Sequence, residues 1–442
     1  MPSTEAVIPK PVTQLLARLS ENTTRYLEYF SERSLPEPSF EDGDGLSPDQ
    51  ELPGAIQAAR NVALEATGEL HRLLLGPIGL VMSCPGDHYL MLGIQYAYRY
   101  NLAQHVPLEG TATFDELAAA TGANVKDVTR FTRLLTGWHV FHEMPIGCIA
   151  HTAASKQLLS NPKLQSWITS IAQEFWPSLA RTVDATQQWP DSEEPNESGY
   201  SLGHHTDDNP FDVIKRDPAR HQRYMDVQTF SHQHSSFSVN HLLDGYDFSN
   251  VHTLVDVGGG QGEVSLCLAK EYPNMEIIVQ DQPEVIEGLE NRIPAELKHR
   301  IRGMKHNFFH PQLVKHADIY LLRWIFHCWS DLYCVKILQS LVPGLKNGAK
   351  VVANDICIPQ PGSLGIAADR ELRQLDISLK AFNNARERDA NAWEMLFSAA
   401  DSRFKFLGIK LPQGASMAII QAEWTGEDQQ QQCKGNLGDE GL

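Results

Sequence analysis

Residues 253–262 read TLVDVGGGQG, an apolar run of strand length that carries Asp256 and opens into the glycine turn Gly258-Gly259-Gly260-Gln261-Gly262. Glycines at the end of a strand let a ligand approach the backbone closely, because no Cβ stands in the way. The same texture recurs outward from this stretch. MEIIVQD, ADIYLLRW and AKVVAND are further apolar runs separated by helical patterns, and FKFLGIKL and SMAIIQAEW end the series on either side of PQGA. Continuous apolar runs alternating with helices predict an α/β fold, a mostly parallel, doubly wound sheet covered on both faces. The last two runs predict a closing antiparallel hairpin. Ligands of such sheets bind beyond the carboxyl ends of the strands, near the point where strand order reverses. Those ends are where chemistry is expected.

The glycine turn alone selects no ligand. The dinucleotide pattern GxGxxG, started at Gly258, needs glycine at position 263, where Glu263 stands. A carboxylate at a helix N-terminus opposes a pyrophosphate that needs the positive end of the helix dipole. This disfavours a nicotinamide dinucleotide, and no Lys-Ser or Lys-Thr follows the glycines as a phosphate-binding loop requires. A phosphate-free nucleoside carrying a cationic sulfonium suits the turn better, since Asp256 and Glu263 then attract it. S-adenosylmethionine fits that description. Asp281 ends the second run, where a carboxylate can accept both ribose hydroxyls. Asn307 and Phe308 follow the next short apolar stretch and are placed to hydrogen-bond to and stack on adenine. The structural alternatives are that Asp281 caps a helix over PEVIEGLE and that Phe308 and Phe309 are core residues.

The chain has 442 residues, with 37 Lys and Arg against 55 Asp and Glu and a formal charge of −18. Phosphate backbones and anionic membranes are held by clustered basic residues, so neither is an expected partner. No apolar run approaches the roughly 20 residues needed to cross a bilayer, and MPSTEAVIPK lacks the features of a signal peptide. The seven cysteines are scattered and never spaced as CxxC, which argues against a disulfide framework or a zinc site. A cytoplasmic protein is expected. Between Gly54 and Leu159 the apolar spacing is helical, and TFDELAAATGANVKDVTRFTRLLTGWHVFHE predicts a winged helix-turn-helix around the Thr121-Gly122 turn. Its second helix offers only Lys126, Arg130 and Arg133 beside Asp127, so packing or dimerisation is expected rather than DNA reading. Three polar stretches stand apart: Pro36 to Pro53 as a mobile link, Gln187 to Pro210 as a surface loop, and the tail after Thr425. The expected division is therefore 1–53 as helix and acidic linker, 54–245 as helical and winged-helix module, 246–425 as catalytic domain and 426–442 as tail.

With these residues assembled, the chain resembles the plant and fungal small-molecule O-methyltransferases that depend on S-adenosylmethionine, particularly those of fungal secondary metabolism. The resemblance runs from about residue 60 to 425 and rests on LVDVGGGQG, on YLLRWIFHCWSD from Tyr320 to Asp331, on NDICIPQPG from Asn354 and on FNNARER from Phe382 to Arg388. It implies a winged-helix dimerisation domain ahead of a Rossmann-like catalytic domain, and a homodimer whose second subunit helps close the acceptor pocket. It also implies His327 as the catalytic base, on a helix after ADIYLLRW, with Asp355 and Glu387 as flanking acids. Arg323 takes the basic position near the cofactor beside Asp256, Gly258, Gly259, Gly260, Asp281, Asn307 and Phe308. Asn383 or Asn384 is implied to reach the acceptor. Two residues depart from the family pattern: Cys328 follows the base where Asp or Asn is usual, and Asn307 stands where Asp is common.

Chemistry agrees with that carry-over. A phenol of pKa near 10 is a poor nucleophile at neutral pH until a base of pKa near 6.5 removes its proton during attack. Carboxylates beside an imidazole fix its tautomer and stabilise the imidazolium. No carboxylate cluster suited to an octahedral Mg²⁺ site accompanies the glycine turn, so no metal is expected. The expected function is thus methyl transfer to a hydroxyl, most simply phenolic, of a polyketide or related small molecule. The alternatives are a pericyclic or dehydration step on the same scaffold, with the cationic cofactor not consumed, and a non-enzymatic regulator using the winged helix.

Overall fold

The computed structural model describes residues 12–40, 52–83, 86–232 and 234–426. Most of the acidic link and nearly all of the C-terminal tail singled out above lie outside the described residues, as does the N-terminal MPSTEAVIPK. The chain forms two compact units. One takes in the described residues up to Glu174 with Ala219–Phe230 and Gly362–Glu371; the other takes in Phe175–Pro218, Ser231–Pro361 and the described residues from Leu372 onward. No helix among the described residues is long and apolar enough to cross a membrane.

In the first unit, helices Phe114–Thr121 and Val125–Thr136 flank a turn in which Gly122 takes φ +68°, a conformation that glycine adopts without steric cost. Thr113 and Glu116 form a reciprocal capping box at the first helix, and Asn124 caps the second through Lys126 N. Strands β1 (Ala112–Thr113), β2 (Phe141–Glu143) and β3 (Cys148–His151) form an antiparallel sheet in the order β1-β3-β2. Leu117, Val128, Leu135, Phe141 and Ile149 fill the space between them. The winged helix-turn-helix is therefore present. Arg133 on its second helix is bound by Glu143 at 2.8 Å.

The second unit is built on a seven-stranded sheet. Its strands are β4 (Thr253–Val257), β5 (Glu276–Asp281), β6 (Ile301–Lys305), β7 (Ile319–Arg323), β8 (Lys350–Asp355) and, after two short strands β9 (Cys357–Ile358) and β10 (Arg388–Asp389), the hairpin β11 (Phe404–Lys410) and β12 (Ala418–Trp424). The order is β11-β12-β8-β7-β4-β5-β6. β4 to β8 run parallel; β12 is antiparallel to β8 and to β11, as the last two apolar runs predict. Leu254, Ile277, Val279, Ile319, Leu321 and Val352 face one core, and Val255, Ile278, Tyr320, Leu322, Val351 and Ala353 face the other. Burial on both faces explains why these runs are apolar without alternation. The parallel sheet has five strands rather than the four the apolar runs mark, because β6 sits at an edge, where Arg302 and Gly303 stay exposed. Strand order reverses between β4 and β7, so the ends of these two strands frame the crevice.

Two local expectations are corrected. PEVIEGLE is not one helix: Pro283–Ile286 and Leu289–Arg292 are separate turns divided by Gly288 at φ +84°. Residues 187–210 are not a surface loop. They carry the helix Gly199–His204, and Ser198, Gly199, Tyr200 and Ser201 are buried against helix Trp176–Gln188 and against Phe382. A Cβ on Gly199 would lie 2.7 Å from Thr182 Oγ1 and 3.1 Å from Ala381 O. Gly199→Ala is therefore expected to cost about 1–3 kcal/mol through overpacking, read as a thermal midpoint several degrees lower. An unchanged midpoint would mean this segment is not packed as described.

Candidate active site

The glycine turn is shaped by its neighbours on β5. Gln280 O accepts from Gly258 N at 2.8 Å and from Gly259 N at 3.1 Å, while Asp281 Oδ2 accepts from Gly260 N at 2.9 Å. Gly258, Gly260 and Gly262 take φ of +70°, +57° and +76°. At Gly258 a Cβ would lie 2.5 Å from Ile325 Cδ1 and 3.7 Å from Phe308 Cδ1; at Gly259 it would lie 2.6 Å from Asp256 Cγ. Gly259 thus requires glycine for space, and Gly258 for its positive φ. The turn, Phe308 and the segment after β7 meet at Gly258.

Asp256 lies beneath the turn, almost fully buried, and its Oδ2 accepts from Ser265 Oγ at 2.6 Å. Burial raises its pKa to about 6, against the lowering effect of Ser265. Asp281 Oδ1 also accepts from Gln282 N at 2.7 Å, and burial raises its pKa as well. Asn307 Oδ1 accepts from Phe309 N at 3.0 Å, turning the chain so that Phe308 stands toward Gly258. Arg323 bonds through Nη1 to Asn354 Oδ1 and through Nη2 to Phe237 O. Burial lowers its pKa, while Asp355, Asp256 and Glu263 act to raise it. One buried guanidinium thus faces several carboxylates, and the crevice is anionic. That composition, a glycine cradle in a carboxylate-rich crevice with the Asp281 carboxylate at its edge, fits a cationic nucleoside and does not fit a phosphate.

Beyond β7 the expected helix is absent. His327 lies on the 3₁₀ turn Phe326–Cys328, and the following α-helix starts only at Asp331 because Trp329 is extended. The turn is held from several sides. Asp355 Oδ2 accepts from Phe326 N at 3.0 Å and from His327 N at 3.4 Å, and Asn383 Nδ2 donates to Cys328 O at 2.6 Å. Glu387 Oε1 lies 3.3 Å from His327 Nδ1, with 1% of the Glu387 side chain and 12% of the His327 side chain exposed. Burial acts to lower the His327 pKa, but Cys328, the hydrogen bond to Glu387 and the Asp355 carboxylate outweigh it and hold the pKa well above the usual histidine range. Asp355 is itself raised to about 6 by burial, and its Oδ1 accepts no hydrogen bond among the described residues.

The structure brings His327, Glu387, Asp355 and Asn383 together, and sets Asp281, Gly258–Gly260 and Phe308 around the glycine turn. Asn384 is placed otherwise: its Nδ2 donates to Glu194 O at 2.7 Å and Glu197 O at 2.9 Å. Sequence reasoning missed three features. Trp324, at φ +58°, places its ring 4.8 Å from His327, tilted by 50°, and 5.1 Å from Phe237, edge to face; such a strained conformation in a non-glycine residue marks a site held by its surroundings. Asn354 bridges Arg323 and Ala418 O. The segment around Glu193 and Glu194 accepts from Ser330 Oγ at 2.8 Å and Tyr333 OH at 2.6 Å. Its only sequence signal is polarity, which points to solvent instead.

A family profile described as an O-methyltransferase domain matches residues 189–403. The O-methyltransferase pyvH of Aspergillus violaceofuscus is 36% identical over 428 residues, which cover 94% of this chain and 99% of that protein. Chlorophenol O-methyltransferase of Trichoderma longibrachiatum is 33% identical, covering 88% of this chain and 84% of that protein. Among solved structures, OxaC in complex with SAH and oxaline superimposes with a TM-score of 0.72 at 20% identity, over 94% of this chain and 99% of that one. This last likeness bears on the fold.

Proposed function

The chain belongs to the S-adenosylmethionine-dependent O-methyltransferases of fungal secondary metabolism, and on that premise we propose that it methylates a phenolic hydroxyl with His327 as general base. The observation that carries this reading is the pairing of His327 Nδ1 with the buried Glu387 carboxylate. Accepting from Nδ1–H fixes the tautomer with a free lone pair on Nε2. Nε2 then takes the hydroxyl proton as the oxygen attacks, and Glu387 and Asp355 stabilise the imidazolium. When bound, S-adenosylmethionine supplies an electrophilic methyl group on a sulfonium. Gly258, Gly259 and Gly260 would present their backbone to it over Asp256, Asp281 would accept from the ribose hydroxyls, Asn307 and Phe308 would contact the adenine, and Arg323 would border the cavity. Most of the rate gain is expected from holding the reacting atoms in line.

An aromatic acceptor is supported by Trp324 and Phe237 beside His327 and by the phenol named for the Trichoderma relative. Asn383 is the better placed of the two asparagines to meet it: its Oδ1 is buried and has no hydrogen-bond partner among the described residues, whereas the Asn384 amide is committed to Glu194 and Glu197. The acceptor is a small molecule, and a homodimer is proposed through the first unit, whose segment Gly54–Met82, helical on both sides of a kink at Gly76, leaves Leu64, Leu74, Ile78, Val81 and Met82 exposed.

The pH profile tests the base directly. A histidine whose folded-state pKa is raised is protonated over a wider range, so the base form, and with it kcat/KM, is expected to rise with pH through a midpoint above 6.5 and then level off. The same sign applies to stability: the contribution of His327 is fully present below its unfolded pKa and is lost as pH rises through the folded one. Glu387→Gln removes one cause of the shift and is expected to move the midpoint downward. A pH-independent kcat/KM between 5.5 and 9 in the wild type would contradict the assignment.

A further inference from the structure

Arg388 is fully buried, lies next to Glu387 in sequence, and reaches the turn that carries the proposed base through its guanidinium. Its guanidinium has five N–H donors, and all find partners. Nε donates to Asp331 Oδ1 at 2.7 Å, Nη1 to Phe326 O at 2.9 Å and Arg386 O at 3.3 Å, and Nη2 to Trp329 O at 2.8 Å and Cys334 Sγ at 3.2 Å. Phe326 and Trp329 bracket His327 in the chain. Their carbonyls point to Arg388, while the Phe326 and His327 N–H groups point to Asp355 on β8 and the Cys328 carbonyl accepts from Asn383. The backbone around His327 is thus gripped at both polarities, donors by Asp355 and acceptors by Arg388 and Asn383. Arg388 also begins β10, which pairs with β9 just after Asp355, Arg388 facing Cys357. This short parallel pairing begins two residues after Asp355 and directly after Glu387.

We infer that Arg388 is a positioning residue for methyl transfer, its rigid fork spanning the Phe326 and Trp329 carbonyls so that the His327 ring stays in line with Glu387. This rests on the reading of His327 as base. A turn of four residues has too few internal hydrogen bonds to fix its own shape, and a lone carbonyl contact would leave the ring free to swing. A planar guanidinium, which donates in two directions at fixed spacing, removes that freedom; an ammonium cannot reproduce it.

The test is Arg388→Lys in the full chain, with kcat and KM measured on one phenol, S-adenosylhomocysteine affinity by calorimetry, and the His327 ring followed by NMR of ¹³C-histidine-labelled protein, its signal assigned by its loss in His327→Ala. A misplacement of about 1 Å can cost about 100-fold in rate. The expected result is kcat lower by about 10- to 100-fold, KM and S-adenosylhomocysteine affinity within threefold, and a His327 titration midpoint moved down toward that of Glu387→Gln. Unchanged kcat with an unchanged ring titration would overturn the inference, as would loss of cofactor affinity by the same factor as kcat, which marks general structural damage. If Arg388→Lys does not fold, Asp331→Asn, a change at the partly exposed partner of Nε, is expected to show the same downward shift of the ring titration, and its absence would overturn the inference. If His327→Ala keeps its turnover, the base reading fails; the ring titration still decides whether Arg388 positions His327.

Discussion

Replacing His327 by alanine is expected to lower kcat on a phenolic acceptor by about 10²- to 10⁴-fold, the range that a positioned general base contributes, while leaving S-adenosylhomocysteine affinity unchanged. The flanking acids are already engaged with the turn and with the ring. Asp355 spends Oδ2 on the backbone N–H groups of Phe326 and His327, and Glu387 is 1% exposed behind the imidazole. The residual rate should rise with pH as the phenol itself ionises, tenfold per unit below a pKa near 10. That slope separates loss of a base from loss of folding. A His327→Ala enzyme with kcat within threefold of wild type would remove the general-base mechanism.

The second large effect concerns Asp281. Its carboxylate already accepts from Gly260 N and Gln282 N, and the proposed ribose contact adds hydrogen bonds to an ionised acceptor. Asp281→Ala removes the ribose contact and leaves two backbone N–H groups without their partner, one of them in the glycine turn. Hydrogen bonds to charged groups contribute about 1.5–3 kcal/mol each, so two lost contacts correspond to roughly 100-fold or more in Kd. Calorimetry with S-adenosylhomocysteine should show this loss. Affinity within threefold of wild type would mean that the nucleoside is held elsewhere.

The parts of the fold that were legible in sequence are those where each residue reports its own environment. β4, β5, β7 and β8 are buried on both faces, so their apolar runs stand out; the glycine turn is legible because Gly258, Gly260 and Gly262 take positive φ and Gly259 has no space for a side chain. β6 is not legible as a strand, since an edge strand in which Arg302 is exposed and Gly303 has no side chain carries a weak pattern. The His327 turn read as helix because Trp324 to Cys328 are ordinary helix-compatible residues. Its 3₁₀ shape follows from Asp355, Asn383 and Arg388, which capture its backbone groups from 28 to 62 residues away. Residues 187–210 were misread for the same reason. Their polar composition suggests solvent, but Ser330, Tyr333 and Asn384, 137 to 190 residues away, bond to Glu193 and Glu194. Among the candidate site residues, Glu387 and Asp355 follow from the resemblance, whereas Arg388, an arginine in a charged stretch, reads as a surface residue until its five partners are seen.

Mass balance in a single turnover tests the central claim most directly. The full chain would be incubated with S-adenosylmethionine labelled in the transferable methyl group and with a panel of phenols and naphthols, and the products quantified by mass spectrometry. The expected result is an aryl methyl ether carrying the label, formed one-for-one with S-adenosylhomocysteine and lost in His327→Ala. A product without the label, formed while S-adenosylmethionine stays intact, would contradict methyl transfer and indicate a rearrangement or dehydration in which the sulfonium acts only through its charge.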